Sequence, residues 1–137
     1  MADRFAEGTV IPAVVTGPIT RTDLVRYAGA SGDFNPIHHD DAFSQAAGNP
    51  TVFGHGMLTA GLVGRCVTDF IGSVAYLRRY KVRFATRVWP GDVITCTGRV
   101  TRRYEDGGEQ RIDGEVVALN QKGETTVSGT FTAAVPG

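Results

Sequence analysis

Charge of one sign is what this sequence most plainly lacks. Its 137 residues carry 14 Lys+Arg against 14 Asp+Glu, a formal net charge of zero. A general polyanion binder shows a basic excess, so neither nucleic acid nor an anionic membrane surface is an expected partner of the chain as a whole. Cysteine is scarce: Cys66 and Cys96 fall in different elements with no CxxC spacing, which excludes a disulfide framework. Two buried thiols in a reducing cytoplasm is the plain reading. Long apolar runs are missing as well. Ala42 to Gly64 contains no Asp, Glu, Lys or Arg, yet Gln45, Asn49-Pro50 and several glycines interrupt it, so no membrane span is expected. The opening Met1-Ala2-Asp3-Arg4-Phe5-Ala6-Glu7 places acids where a signal peptide has its apolar stretch. No glycine-rich phosphate loop follows a strand and no G-x-S-x-G occurs, which argues against a nucleotide fold and a serine hydrolase. No cofactor is expected.

What is present fits one domain, residues 1–137, of a size that buries about two-thirds of its unfolded surface. Thr9 to Thr16 reads as a strand broken by Pro12, hence an edge. Thr20 with Asp23 makes a capping box ahead of an apolar stripe that Gly32 closes. Residues 33–53 are rich in Asp, Asn, Pro and Gly, with a short helical turn near Asp41–Ala47; irregular stretches of this length are usually functional or mobile. Gly56 to Ile71 is apolar on nearly every face, which predicts a core helix. Tyr80 to Val88 alternates with period two, and further strands are expected at Val93–Tyr104, Gln110–Asn120 and Glu124–Ala134, joined by Gly-containing turns. The pattern is α+β: one long buried helix against a sheet of consecutive antiparallel strands.

The chemistry concentrates in Ser31-Gly32-Asp33-Phe34-Asn35-Pro36-Ile37-His38-His39-Asp40-Asp41 and in Gly54-His55-Gly56-Met57. Pro36 forces Asn35 away from helix, so a curved loop brings Asp33 and His38 towards one pocket. An imidazole beside a carboxylate suits handling a water proton near neutral pH. Asp and His in a loop also serve as a cap and a solvated ring, and composition alone leaves both readings open. His38, His39, His55, Asp40 and Asp41 form a conceivable ligand list. Adjacent histidines diverge in extended chain, however, and no H-x-x-x-H spacing exists, so no metal is expected.

Tyr27 to His38 resembles the hydratase-2 motif of the MaoC-like dehydratases, the (R)-specific enoyl-thioester hydratases, with its D-x-N-P-x-H core. Gly54-His55-Gly56-Met57-Leu58, Val82-Arg83-Phe84 and Val88-Trp89-Pro90-Gly91-Asp92 resemble later segments of the same family. The likeness runs from about Thr20 to the C-terminus and also approaches the catalytic subunit of (3R)-hydroxyacyl-carrier-protein dehydratases. It implies a single hot-dog fold, an antiparallel sheet wrapped around one long central helix, and a dimer. It further implies Asp33 and His38 as the catalytic pair on one water, and the Gly56 backbone N–H as donor to the thioester oxygen. The first amides of a helix lack intrahelical partners, which suits that donor role. Asn35 is a turn cap or a substrate contact, with the supporting role favoured. His55 braces the loop, and His39 is exposed. Some relatives carry a helix serine that Gly61-Leu62-Val63-Gly64 lacks; Thr59 is the conceivable substitute, although a hydroxyl bonded to its own backbone is the expectation.

The resemblance sets the expected activity as reversible hydration of trans-2-enoyl thioesters of CoA or acyl-carrier protein, by a homodimer or by a heterodimer with a related subunit. A non-catalytic partner subunit and an acyl-thioesterase are the alternatives. The thioesterase lacks its helix carboxylate, because Gly56–Gly64 contains no acid. The neutral net charge also hides a segregation. Residues 78–103 hold eight basic residues and one acid, Asp92, a local charge of +7. Arg78, Arg79, Arg83 and Arg87 could meet CoA phosphates or an acidic carrier, or serve only as solubilising strand positions.

Overall fold

Thr20 starts the first helix for a local reason. Its Oγ1 accepts from the Asp23 N–H at 3.1 Å while the Asp23 carboxylate accepts from the Thr20 N–H at 2.8 Å, which satisfies two amides that the helix itself cannot. Helix α1 spans Arg21–Ser31 and stops at Gly32, whose φ of 75° suits a residue without Cβ. The computed structural model describes residues 3–137, so Met1 and Ala2 of the leader reading lie outside the described residues.

Before α1 runs strand β1, Val10–Thr16; after it come a 3-10 turn at Pro36–His38, helix α2 at Asp41–Ala46 and helix α3 at Gly56–Ile71. Four strands follow: β2 (Tyr76–Phe84), β3 (Ile94–Asp106), β4 (Glu109–Leu119) and β5 (Thr125–Ala134). With β1 they form one five-stranded antiparallel sheet in the order β1-β3-β4-β5-β2. β1 is an edge, as Pro12 predicts, and its pairing with β3 shifts register between Ile11 and Val14. Helix α3 lies on one face of the sheet, the hot-dog arrangement.

Two expectations change. Strand β2 begins and ends four residues earlier than its alternation suggests, and it pairs with β5 at the far edge instead of with β3. Residues 85–93 carry the chain across about three strand spacings, roughly 14 Å, well within the reach of nine residues. Helix α3 is not covered all round either. Ala60, Val63, Cys66, Val67 and Ile71 are buried against the sheet, whereas Met57 is 59% exposed and Gly61 and Arg65 are exposed on the opposite side. A single sheet covers only one side of a helix, and each core aliphatic seated there contributes about 1.5–3 kcal/mol. By length and composition Gly56–Val74 would also suffice to cross a bilayer; here its apolar stripe is buried on the sheet.

Candidate active site

The loop after α1 is built from short hydrogen bonds. The Ser31 hydroxyl donates to the Tyr27 carbonyl and accepts from the Asp33 N–H. The Asp33 carboxylate accepts from the Asn35 N–H, and the Asn35 side-chain oxygen accepts from the Ile37 N–H, capping the 3-10 turn that presents His38. Such Asx turns are what Asp and Asn supply at little cost. His38 is buried, while Asp33, Asn35 and His39 are exposed.

A second segment, Thr51–Gly56, closes over the ring of His38. It is held by Asp41, whose carboxylate accepts from the Thr51 hydroxyl at 2.7 Å, the Val52 N–H at 3.1 Å and the Arg21 guanidinium at 2.9 Å. These bonds hold the Asp41 carboxyl below its ordinary range. The clasp sets Phe53, and the Phe53 carbonyl lies 2.6 Å from Nδ1 of His38. A carbonyl only accepts, so Nδ1 carries the proton and Nε2 of the neutral ring is a free base. Burial pushes the His38 pKa below the usual imidazole value and the neighbouring His55 adds to this, against the Phe53 hydrogen bond and the Asp33 charge. His38 is thereby kept neutral in the physiological range.

His55 stacks on His38, ring centroids 3.8 Å apart and planes inclined by 27°. Its Nε2 sits 3.1 Å from the Asp33 carbonyl and its ring meets Tyr27 edge-on at 4.8 Å. Its Nδ1 is buried with no hydrogen-bond partner among the described residues. A carboxylate oxygen of Asp33 and one ring nitrogen each of His38 and His55 lie within 4.8 Å of one another. An ion must lie in the plane of each imidazole that ligates it. Two stacked rings point their lone pairs side by side, so this trio, as arranged, does not converge on a common cation. One water fits instead, since two bonds of about 2.8 Å span up to about 5.6 Å.

Gly56 opens α3 directly after His55, and no side chain caps that end. A Cβ at Gly56 would stand 2.9 Å from the Phe84 ring. Both residues line a cleft of about 180 Å³ whose other walls include Phe53, Thr59, Arg87 and Thr126. Thr59 does not bond to its own backbone, contrary to expectation; it is buried at the cleft wall. The four arginines part company. Arg87 lies over the Phe53 ring at 4.7 Å, beside the cleft. Arg78 is paired with Glu109 at 2.7 Å. Arg79 and Arg83 alternate with the core-facing Tyr80 and Val82, so they lie on the sheet face away from α3. Neither makes a salt bridge among the described residues. The Phe53 carbonyl carries no motif signal; Asp41 and Phe84 lie in segments the sequence singles out, but the clasp and the closeness of Phe84 to Gly56 emerge only from the fold.

Residues 4–123 match the family model described as MaoC like domain, and the chain belongs to that family. It is 30% identical over 114 residues to the 3-oxo-4,17-pregnadiene-20-carboxyl-CoA hydratase beta subunit of Mycobacterium tuberculosis, covering 83% of this chain and 81% of that one. To the (R)-specific enoyl-CoA hydratase of Rhodospirillum rubrum it is 29% identical, covering 86% and 81%. Among solved structures, the ChsH1-ChsH2 complex from Mycobacterium tuberculosis superposes with a TM-score of 0.83 at 30% identity, covering 96% of this chain and 98% of that chain. Other relatives are much longer: the chain spans 10% of the Neurospora crassa peroxisomal hydratase-dehydrogenase-epimerase and 37% of the Mycobacterium tuberculosis 3-hydroxyacyl-thioester dehydratase Y.

Proposed function

We propose that the chain reversibly adds water across the C2–C3 double bond of trans-2-enoyl thioesters, of CoA or a carrier protein, giving (3R)-hydroxyacyl thioesters. The observation that carries this is the placing of a neutral imidazole and a carboxylate within one water's span of each other, next to the unpartnered amides that begin α3. Nε2 of His38 takes one proton from the water as its oxygen bonds to C3. Asp33 holds that water and helps return a proton to C2, so the sum is one water added and no electron transferred. Negative charge gathers on the thioester oxygen during attack, and the Gly56 N–H at the helix start is the donor for it. Asn35 supports this geometry through its turn and His55 through its contacts. Arg87, at the cleft, is the candidate for a carrier phosphate; Arg79 and Arg83 lie on the opposite sheet face, and Arg78 is already paired.

The relatives named as hydratases, two of them four-fifths covered by this chain, support the reading. A dimer is part of it. Strand β2 is a free edge with Tyr76 66% and Phe84 52% exposed, and an unpaired edge is a template for another chain. A second copy is the simplest occupant; a related hot-dog subunit is the second reading, favoured by the likeness to one chain of a two-protein complex. The free thiols of Cys66 and Cys96 suit a cytoplasmic setting. Mixing the purified chain with crotonyl-CoA tests the activity and its need for a second subunit. Loss of enoyl absorbance without release of free thiol is expected. Free CoA appearing instead would point to a thioesterase, and activity only after adding a second protein to the heterodimer.

A further inference from the structure

His55 touches every working part of this site. Its face covers the ring of His38 at 3.8 Å, its Nε2 reaches the backbone carbonyl of Asp33 at 3.1 Å, and it is the residue from which α3, beginning at Gly56, departs. Tyr27 from α1 closes its edge. The ring is 3% exposed, yet its second nitrogen has no partner among the described residues. Unpartnered buried groups are rare enough that each calls for a cause. A purely structural filler at this position would be an apolar aromatic ring, which leaves no nitrogen orphaned. Retention of an imidazole makes sense if the position needs both a flat face and one N–H donor, with the bare nitrogen as the residual cost.

We propose that His55 is a positioning residue, held with a proton on Nε2, which sets the His38 base and the Asp33 carboxylate in register with each other and with the Gly56 amide. That proton follows from its partner, since a carbonyl accepts only from an N–H. Stacking supplies the second half of the role: it removes solvent from one face of His38 while the Phe53 ring meets that imidazole edge-on at 5.2 Å. His38 is then restrained by the Phe53 carbonyl, by the Phe53 ring and by His55. The titratable groups around it are Asp33, His39 and His55, so replacing His55 alters both its solvation and its charge surroundings. This inference rests on the hydration reading for its kinetic consequence and is independent of that reading for its geometry.

The test uses two variants that divide the two contacts. His55→Phe keeps a stacking face and loses the donor; His55→Gln keeps an N–H donor and loses the face. Nitrogen-15 NMR of the full-length wild type is expected to show His55 with a proton on Nε2, and the titration of His38 is expected to move to higher pH in both variants. With crotonyl-CoA, kcat is expected to fall ~10–100-fold in each while KM stays within about threefold, the pattern of misplacement during reaction and not of lost binding. His55 found as the Nδ1–H tautomer, or an unmoved His38 titration in folded variants, would overturn the proposal. Wild-type kcat in both variants would overturn it too. A wild type inert towards every enoyl thioester, with the NMR shifts still as expected, would refute the hydratase reading and leave the positioning role supported.

Discussion

Substituting Gly56 by alanine separates what the site needs from what the fold needs. The backbone N–H survives the change, so the proposed oxyanion donor is kept. The new methyl would lie 2.9 Å and 3.0 Å from two carbons of the Phe84 ring, against an optimum of about 3.5–4.0 Å. The ring must therefore retreat by roughly 0.6–1 Å. Phe84 is 52% exposed, so it can move without opening the core, and alanine favours helix over glycine by up to about 1 kcal/mol. The melting temperature is expected to hold or rise slightly. Activity is not. The methyl and the displaced ring crowd the cleft beside the donor amide, and a misplacement of about 1 Å can cost up to ~100-fold in rate. A fall in kcat/KM of ~10–100-fold is expected, equivalent to about 1.4–2.7 kcal/mol of transition-state stabilisation. Crotonyl-CoA kinetics and a thermal melt on the same preparation decide it. A kcat/KM within twofold of wild type would refute the close approach of substrate to Gly56, and a steep loss of stability would show that Phe84 is locked in place.

Gly114→Ala should behave in the opposite way: its Cβ would lie 2.3 Å from the ring of Phe131, itself 2% exposed. Overpacking of this kind costs about 1–3 kcal/mol, so a thermal melt should drop by several degrees while the kcat of the folded fraction stays near wild type. For pH, the sign follows from the lowered pKa of His38. Its neutral form is the proposed base, so kcat/KM should hold at neutral pH and fall only below the ordinary imidazole value of about 6.5. Between that value and its own lower pKa the unfolded chain binds more protons, so stability should also decline as pH falls through this window. An acid limb at or above about 6.5 would contradict the buried, neutral His38.

Local signals in the chain carried most of these elements. The Thr20–Asp23 box and Gly32 delimit α1 because capping involves only near neighbours in sequence, and Pro12 marks an edge because it has no N–H to donate. Strand β2 was harder. Its alternation continues past Phe84, and what ends it is the departure of the chain from β5, a partner more than forty residues away in sequence. The exposed side of α3 was likewise hidden, since an apolar helix reads the same whether one face or all of them are covered. At the site, Asp33, His38 and Gly56 were legible through their motif. The Phe53 carbonyl was not, because a backbone acceptor has no residue signature. The stacking of His55 on His38 requires two loops seventeen residues apart to meet, which no spacing rule encodes.

The most direct test of the central claim is the rate of crotonyl-CoA hydration by Asp33→Asn and His38→Ala beside the wild type, each checked for folding by its melt. At least ~100-fold loss in both variants is predicted, since each removes one of the two groups proposed to handle the water. Hydration at the wild-type rate in either folded variant would contradict the account.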